Sequence, residues 1–496
     1  MIALTAAEIA DITHGRLTGA TDVVPTSVVT DSREAVPGSL YVAKPGEHAD
    51  GHDYVDAAFE RGAVLVLAER EVTDAAGSPF PAVVVDDAVL AMGALAAECV
   101  RRIRAERAQR GEDFTVIGIT GSAGKTTTKD LLAGVLSGAG RTVAPQGSYN
   151  GEVGVPLTVF AADADTRYLV IEMGATGLGH IKYLADMVKP DIGVVLVVGT
   201  AHAGEFGGVE NIAKTKGELV EALGEHGTAV INLDDGRVAA MRSRTKAKVL
   251  GFTSSPATTE EVEARNVVVN GHGFPEFDLV LPDGGPAVEV RSRLIGGHHV
   301  TNLLAAAAAA FAAGIPAAAI AASLSSQSAA SRWRMERTER ADGVTIINDA
   351  YNANPESMRA ALRTLADLGQ GRRTWAVLGA MLELGEDSIR EHTAVGTQVV
   401  RLNISRLVVV GREARALYVS AIQEGSWGDE CSFTETVEEA YELLQNELEP
   451  GDLVLFKSSN GVGLRHLGDR IALPPRAEPT GDNAAEAAAS EGNELL

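Results

Sequence analysis

The segment Gly118-Ile-Thr-Gly-Ser-Ala-Gly-Lys-Thr-Thr-Thr128 constrains this chain more than any other. An apolar run over residues 114–120 leads straight into it, and a helical pattern begins at Lys125 or Thr126. Strand, glycine loop and helix in that order make a cradle for phosphate. Loop N–H groups converge on the oxygens, and the glycines let the backbone come close. Lys125 would neutralise the β- and γ-phosphates, and the Thr126 hydroxyl would ligate Mg²⁺. The strict motif has glycine where this chain has Ile119, so the loop is of the shorter TGSxGKTT type. A chance Gly-Lys-Thr turn is the ordinary alternative, and the flanking strand and helix disfavour it. Ser122-Ala-Gly-Lys125 also fits the acyl-transfer motif S-x-x-K, but its companions S-D-N and K-T-G are absent.

A phosphate loop needs a sheet behind it, and the rest of the chain supplies three. At ~150 residues per domain, 496 residues make about three domains. Residues 1–112 alternate short β-rich runs (23–24, 28–29, 40–42, 64–67, 83–85) with helical stretches. They end in a helix over about 87–110 whose last part, RRIRAERAQR, is basic. That run reads as a solvated helix face before a linker rather than a nucleic-acid site. Residues 113–331 place apolar runs at 114–120, 168–172, 192–198 and 229–232 between helical segments, which predicts a parallel sheet covered on both faces. Residues 332–471 repeat the pattern at 345–348, 374–378, 407–410 and 453–457. Residues 472–496 are rich in Pro, Ala, Gly and Glu without apolar periodicity and are expected to be a disordered tail. The predicted fold class is α/β with three domains. They are a small N-terminal α/β domain, a central P-loop-type parallel-sheet domain and a C-terminal Rossmann-like domain.

Charge excludes some partners. Lys plus Arg is 43 and Asp plus Glu is 67, a net of −24. Nucleic acid and anionic membrane both need a dominant basic face, so neither is expected as a partner. Two cysteines, Cys99 and Cys431, exclude a disulfide scaffold and a Cys-based zinc module and suit a reducing cytoplasm. No basic stretch followed by an apolar run opens the sequence, so no signal peptide is expected. Residues 300–330 carry no charge and exceed the ~20 residues of a membrane span. Their alanine content and the Gly314-Ile-Pro316 break predict instead two buried helices with a turn between them.

Further motifs narrow the chemistry. With the TGSAGKTTTKD loop stand Glu172 in IEMGA, His202 in GTAHAGEFGG, Lys216 in AKTKGEL, Asn232 and Asp235 in INLDD, and His298 and Asn302 in GGHHVTN. Together they resemble the Mur ligases, ATP-dependent amide-forming enzymes of bacterial cell-wall precursor synthesis. The resemblance spans residues ~1 to ~470, in the expected order. TDSREAVPGSLYVAKPGEHADGHDYV, NDAYNANPESM and LGAMLELGEDS point within that family to the reaction joining D-Ala-D-Ala to UDP-N-acetylmuramoyl-tripeptide. A DNPR motif, which marks the diaminopimelate-adding sibling, is absent.

The resemblance implies roles for individual residues. Gly121, Ser122, Ala123, Gly124, Lys125, Thr126 and Thr127 would hold the ATP phosphates. Thr126, Glu172 and His202 would ligate Mg²⁺, a cation that takes hard oxygen ligands. Lys216 would react with CO₂ to form a carbamate that supports the metal site. Lys125, Lys216, His202 and Glu172 form the catalytic set. Asn232, Asp235, His298 and Asn302 would lie near the adenine; His299 stands where the family motif has its first Asn. Arg334 and Asp349 would reach ATP from the C-terminal domain. Substrate contacts are expected from Ser32, Arg33, Lys44, Gly46, Asp50 and His52 for the UDP part, and from Asn150, Tyr351, Asn352 and Asn354. Lys457-Ser-Ser-Asn departs from the family's K-G-S-R form and receives no role. The expected partners are the two small-molecule substrates, and the chain is expected to act as a monomer.

Overall fold

The computed structural model describes residues 1–19, 22–46, 49–199, 208–255, 260–425 and 430–473. The chain packs as two compact units. One is Met1–Arg332 with Glu383–Glu386; the other is Trp333–Leu382 with the described part of Asp387–Leu496.

Two sheets build the first unit. The smaller has strands β1 (Arg16–Thr18), β2 (Ser27–Val29), β3 (Ser39–Ala43), β4 (Ala63–Ala68) and β5 (Ala82–Val84), in the order β1-β5-β4-β3-β2. Only the β1–β5 pair is antiparallel. β1 lies at 16–18, whereas the expected run at 23–24 is not a strand. The helix Ala88–Gln109 follows, with the Asp87 carboxylate accepting from the N–H groups of Val89 and Leu90 at its start.

The second sheet holds β6 (Thr115–Thr120), β7 (Thr142–Val143), β8 (Tyr168–Glu172), β9 (Ile192–Val195), β10 (Thr228–Asn232), β11 (Lys248–Thr253), β12 (Val262–Val269), β13 (Pro275–Val280) and β14 (Val288–Arg291). Their order is β14-β13-β12-β11-β10-β9-β6-β8-β7. The strands from β12 to β7 pair in parallel, as predicted. β12, β13 and β14 add an antiparallel edge that the sequence reading does not contain. β13 alternates buried and half-buried residues, the mark of a strand with one covered face.

Alternation along β6 explains why both faces must be covered. Val116 packs with Leu40, Leu67, Val83 and the helix Ala88–Gln109, in a core shared with the small sheet. Ile117 and Ile119 face a second core, with Leu131, Leu132 and the alanines 305–310. Those six alanines are completely buried. They belong to the helix His299–Ala312, and a second helix, Ala317–Ser326, follows the Gly314–Pro316 break. Alanine's small side chain lets the first helix lie close to the helix Lys125–Ser137 and the sheet while keeping strong helix propensity. The charge-free segment is therefore core. Among the described residues no helix is long and apolar enough to cross a membrane.

The second unit has β15 (Glu336–Glu339), β16 (Thr345–Asn348), β17 (Thr374–Leu378), β18 (Arg406–Val410), β19 (Cys431–Thr434) and β20 (Leu453–Lys457), in the order β15-β16-β20-β17-β18-β19. All neighbours are parallel except β15–β16. Ligand sites in such open sheets form where parallel strands end, at their carboxyl edge. Many of the expected site residues follow the end of a strand or begin the next helix, whereas Lys216 lies within the helix Val209–Glu221 and Arg334 precedes β15.

Candidate functional site

β6 ends at Thr120, and the loop that follows is shaped for close approach. Gly121 and Gly124 have φ of +159° and +83°. A Cβ on Gly124 would lie 2.2 Å from Asn302 Oδ1, and one on Gly121 would lie 2.9 Å from Leu196 Cβ. Only glycine fits the Gly124 position. The loop is tied down on its outer side. Ser122 donates its N–H to Val197 O, and its Oγ accepts from Gly199 N at 2.9 Å. Ser122, Ala123, Gly124 and Lys125 remain half-exposed. The helix starts at Lys125, whose Nζ donates to Gly121 O at 2.9 Å.

β8 lies beside β6 and ends at Glu172, one of the most deeply buried carboxylates in the chain. Thr126 Oγ1 donates to Glu172 Oε2 at 2.9 Å and meets Ser148 Oγ at 2.8 Å. Asn150 Nδ2 donates to Glu172 Oε1 at 2.8 Å. No ion pair balances this carboxylate among the described residues. A buried anion without a cation is costly, and a hydroxyl plus a carboxylate is a hard-oxygen donor set. The residues present therefore fit Mg²⁺, which takes one or two carboxylate ligands and fills the rest with water and phosphate. Among the described residues no three His, Cys, Asp or Glu side chains gather as a metal cluster. His202 lies outside the described residues.

Lys129 is a residue the sequence reading missed. Its Nζ is buried and donates to Pro145 O at 2.8 Å and Gly147 O at 3.2 Å. It thereby anchors the segment that carries Ser148 and Asn150 to Thr126 and Glu172. The signal was present as the lysine closing TTTK, but nothing in spacing distinguished it from a surface charge.

Lys216 sits in the helix Val209–Glu221, whose neighbour in the sheet layer is β9. It is buried, with no hydrogen bond or ion pair among the described residues. Burial, with a smaller contribution from Lys125, lowers its pKa from an ordinary 10.5 to about 7. Desolvation penalises the ammonium, so the amine is in large part neutral near neutrality.

The expected adenine residues make these contacts within the protein. Asp235 caps the short helix Gly236–Ala240 through Arg237 N and Val238 N, and its other oxygen accepts from Val198 N at 2.8 Å. Asp235 thereby clamps β10 to the segment after β9. Asn232 accepts from Asp234 N at 3.0 Å. Asn302 Nδ2 donates to His299 Nδ1 at 3.1 Å, and its Oδ1 backs Gly124. His299 is therefore a neutral core histidine, its pKa pushed well down by burial. His298 is half-buried with its ring centroid 4.1 Å from that of His299.

In the small sheet, the candidates cluster at the ends of adjacent strands. Ser32 and Arg33 follow β2, Lys44 and Gly46 follow β3, and β2 and β3 pair in parallel. Arg33 forms a bidentate pair with its own Asp31, which holds the carboxyl below its ordinary range. His52, expected among the substrate contacts, lies inside the protein. Its side chain is buried, Nδ1 donates to Asp50 Oδ1 at 2.5 Å, and Nε2 accepts from Glu69 N at 2.9 Å. With both ring nitrogens occupied, it staples the ends of β3 and β4 together. Asp50 also accepts from Arg70 Nη1 at 2.8 Å.

In the second unit, Asp349 follows β16 and Lys457 ends β20, its parallel neighbour. Lys457 Nζ meets Asp349 Oδ2 at 2.6 Å. Arg334 stacks over the Tyr351 ring at 4.4 Å. Asn352 is exposed and accepts from Ala353 N. Asn354 is a helix cap, exchanging bonds with Ser357 at the start of the helix Pro355–Leu368.

This geometry matches a known family. Profiles described as Mur ligase family, catalytic domain; Mur ligase middle domain; and Mur ligase, glutamate ligase domain match residues 25–108, 119–310 and 333–460. The chain belongs to the Mur ligase family. Among its Mur ligase relatives, a Mycobacterium tuberculosis protein named UDP-N-acetylmuramoyl-tripeptide–D-alanyl-D-alanine ligase is 43% identical, covering 95% of this chain and 98% of that protein. The crystal structure of MurF from Acinetobacter baumannii is 29% identical with a TM-score of 0.82, covering 95% of this chain and 99% of that one. MurF from Thermotoga maritima, solved in complex with ADP, is 27% identical with a TM-score of 0.74, covering 90% and 97%. The three-sheet α/β architecture is the Mur ligase fold.

Proposed function

We propose that this chain is an ATP-dependent ligase that joins D-Ala-D-Ala to UDP-N-acetylmuramoyl-tripeptide in the cytoplasmic synthesis of peptidoglycan precursor. The observation that carries the reading is the buried Thr126–Glu172 pair beside the phosphate loop, in a chain 43% identical along nearly its whole length to a ligase of that name.

The reaction brings two anions together. An oxygen of the tripeptide carboxylate attacks the γ-phosphorus, ADP leaves, and an acyl phosphate results. The D-Ala-D-Ala amine then attacks the acyl carbon, phosphate leaves, and the amine proton passes to solvent. The site must screen repulsion and hold the reactants in line. The N–H groups of Gly121–Thr127 cradle the phosphates. Lys125 supplies the mobile positive charge, exchanging its bond to Gly121 O for phosphate oxygen. Thr126 Oγ1 and the Glu172 carboxylate, with His202, are the residues to hold Mg²⁺. Bound there, Mg²⁺ would neutralise charge developing on the phosphoryl oxygens. Asn150 and Ser148 orient Glu172 and Thr126 for that task.

Lys216 has the state that carbamate formation needs. A neutral amine attacks the carbon of CO₂, a C–N bond forms, and an N–H proton leaves to water. The product is an extended anion able to support the metal site. In this reading residues 1–112 take the UDP part, through Arg33 and Lys44 beside the β2 and β3 ends, and residues 113–331 take ATP. Arg334, Asp349, Tyr351 and Asn352 of 332–471 serve ATP and the incoming dipeptide. The protein acts as a monomer.

The test is phosphate release from ATP and Mg²⁺, measured with each substrate alone and with both. Release that needs UDP-muramoyl-tripeptide and D-Ala-D-Ala together supports the reading. Release that ignores both, or that a single amino acid sustains, overturns it.

A further inference from the structure

Lys457 received no role from the sequence, yet it is among the most completely enclosed charges in the chain, its side chain 2% exposed. Its three ammonium hydrogens have three acceptors: Asp349 Oδ2 at 2.6 Å, Asn352 O at 3.1 Å and Asp349 O at 3.3 Å. Nothing of that ammonium is left for a substrate. All three bonds go to one loop, 349–352, which leaves the carboxyl end of β16. Burying a cation is costly unless its geometry is excellent, and a packed apolar residue would hold a loop with less cost. The arrangement implies that the loop's conformation, not only its attachment, is what the pair secures.

The other oxygen of the same carboxylate shows what is being held. Asp349 Oδ1 accepts from Met335 N at 3.1 Å. Met335 has φ of +53° and Trp333 has φ of +58°. Non-glycine residues in this left-handed region are strained and persist only where surroundings enforce them. Two such residues flank Arg334. Trp333 is enforced by Glu336, whose Oε2 accepts its N–H at 2.9 Å, and by Asp469, which accepts the indole N–H. Met335 is enforced by Asp349. Between them Arg334 is thrown out over the ring of Tyr351, itself part of the loop Lys457 holds.

We propose that Lys457 is a positioning residue for Arg334, acting through Asp349: the buried ammonium fixes the carboxylate that keeps Met335 in its strained turn and so aims the guanidinium. Asp349 is thereby the link between Lys457 and Arg334. The inference rests on the reading above that Arg334 serves ATP, and the experiment separates the two.

The full-length protein is assayed for phosphate release with both substrates as ATP is varied, in wild type, Arg334→Ala, Lys457→Gln and the double variant. The expected result is a fall of about thirtyfold or more in kcat/KM for ATP in each single variant, the scale of losing one charged contact to phosphate. KM for UDP-muramoyl-tripeptide should stay within about twofold, and the double variant within about threefold of Arg334→Ala, because effects of residues acting as one unit do not multiply. A purely structural lysine would lower the melting temperature and leave the ATP kinetics of the folded protein unchanged. Lys457→Gln near wild-type kinetics, or a double variant whose loss is the product of the singles, overturns the proposal. Arg334→Ala with wild-type kinetics defeats the reading of Arg334 itself, and the proposal with it. Where Lys457→Gln fails to fold, Asp349→Leu with Lys457→Met removes the whole pair without leaving a buried charge. It takes the same place in the cycle, and the same two outcomes decide.

Discussion

Replacing Lys216 by Met should make this protein more stable and less active, and the size of the gain should depend on pH in a defined way. The unfolded chain holds a proton on Lys216 up to its ordinary pKa of 10.5, whereas the folded chain holds it only up to about 7. Between these values the unfolded state binds more protons. Acidification from 10.5 toward 7 therefore destabilises folded wild type, and below 7 the penalty is constant because both states are protonated. The shift of 10.5 to about 7 corresponds to roughly 5 kcal/mol at about pH 6, falling to about 1 kcal/mol at about pH 10. Relaxation and water entry around a buried ammonium reduce the lower-pH figure, so it is an upper bound. Methionine has a similar length, no charge and enough flexibility to fill the space. The assay is thermal unfolding of wild type and Lys216→Met across that pH range, in CO₂-free and metal-free buffer so that the amine stays unmodified. A stability gain for the variant that is largest at acid pH and fades toward pH 10 is expected. A variant less stable than wild type at about pH 6, or a difference that does not change with pH, would refute the claim that desolvation governs this lysine.

Other expectations are more local. Lys125→Ala should lower kcat/KM for ATP by about a hundredfold or more while the circular dichroism spectrum and melting curve stay unchanged. Gly124→Ala combines a left-handed φ of +83° with a Cβ 2.2 Å from Asn302 Oδ1; calorimetry with ADP should show binding weakened by about tenfold or more, and unchanged affinity would contradict the loop geometry. Asn354→Ala removes a helix cap and should cost about 1 kcal/mol of stability with D-Ala-D-Ala KM within about twofold. A large rise in that KM would instead return Asn354 to the substrate. Glu172→Gln keeps the bonds to Asn150 and Thr126 within reach but removes the charge, so the Mg²⁺ concentration for half-maximal activity should rise by about tenfold or more.

The fold was legible where residues announce a period or a backbone requirement. The run into Gly121, the phosphate-loop glycines and the Gly-Pro break at Gly314–Pro316 are local facts, and local facts survive folding. The antiparallel edge β12–β14 was not legible, because its strands carry few long apolar runs and one face is open to water. The carboxyl edges told which residues gather, but not what each side chain does once there. Asp235, His52 and Asn354 were expected as contacts from the resemblance, and only the positions of nearby N–H groups show that they also serve as clamps and caps. Lys129, Lys216 and Lys457 show the limit most clearly. Lys129 and Lys457 received no role in sequence and Lys216 one only by resemblance, and burial, which belongs to the tertiary structure, makes the first an anchor, the second the holder of a strained loop and the third a weakly basic amine.

Oxygen tracing tests the central claim of carboxylate activation by ATP most directly. UDP-muramoyl-tripeptide labelled with oxygen-18 in the carboxylate that forms the new amide is incubated with the protein, ATP, Mg²⁺ and D-Ala-D-Ala, and the released phosphate is analysed by mass spectrometry. One labelled oxygen in each phosphate, matched by one amide product, is the result an acyl-phosphate route requires. Unlabelled phosphate, or product formed without phosphate release, would contradict the account.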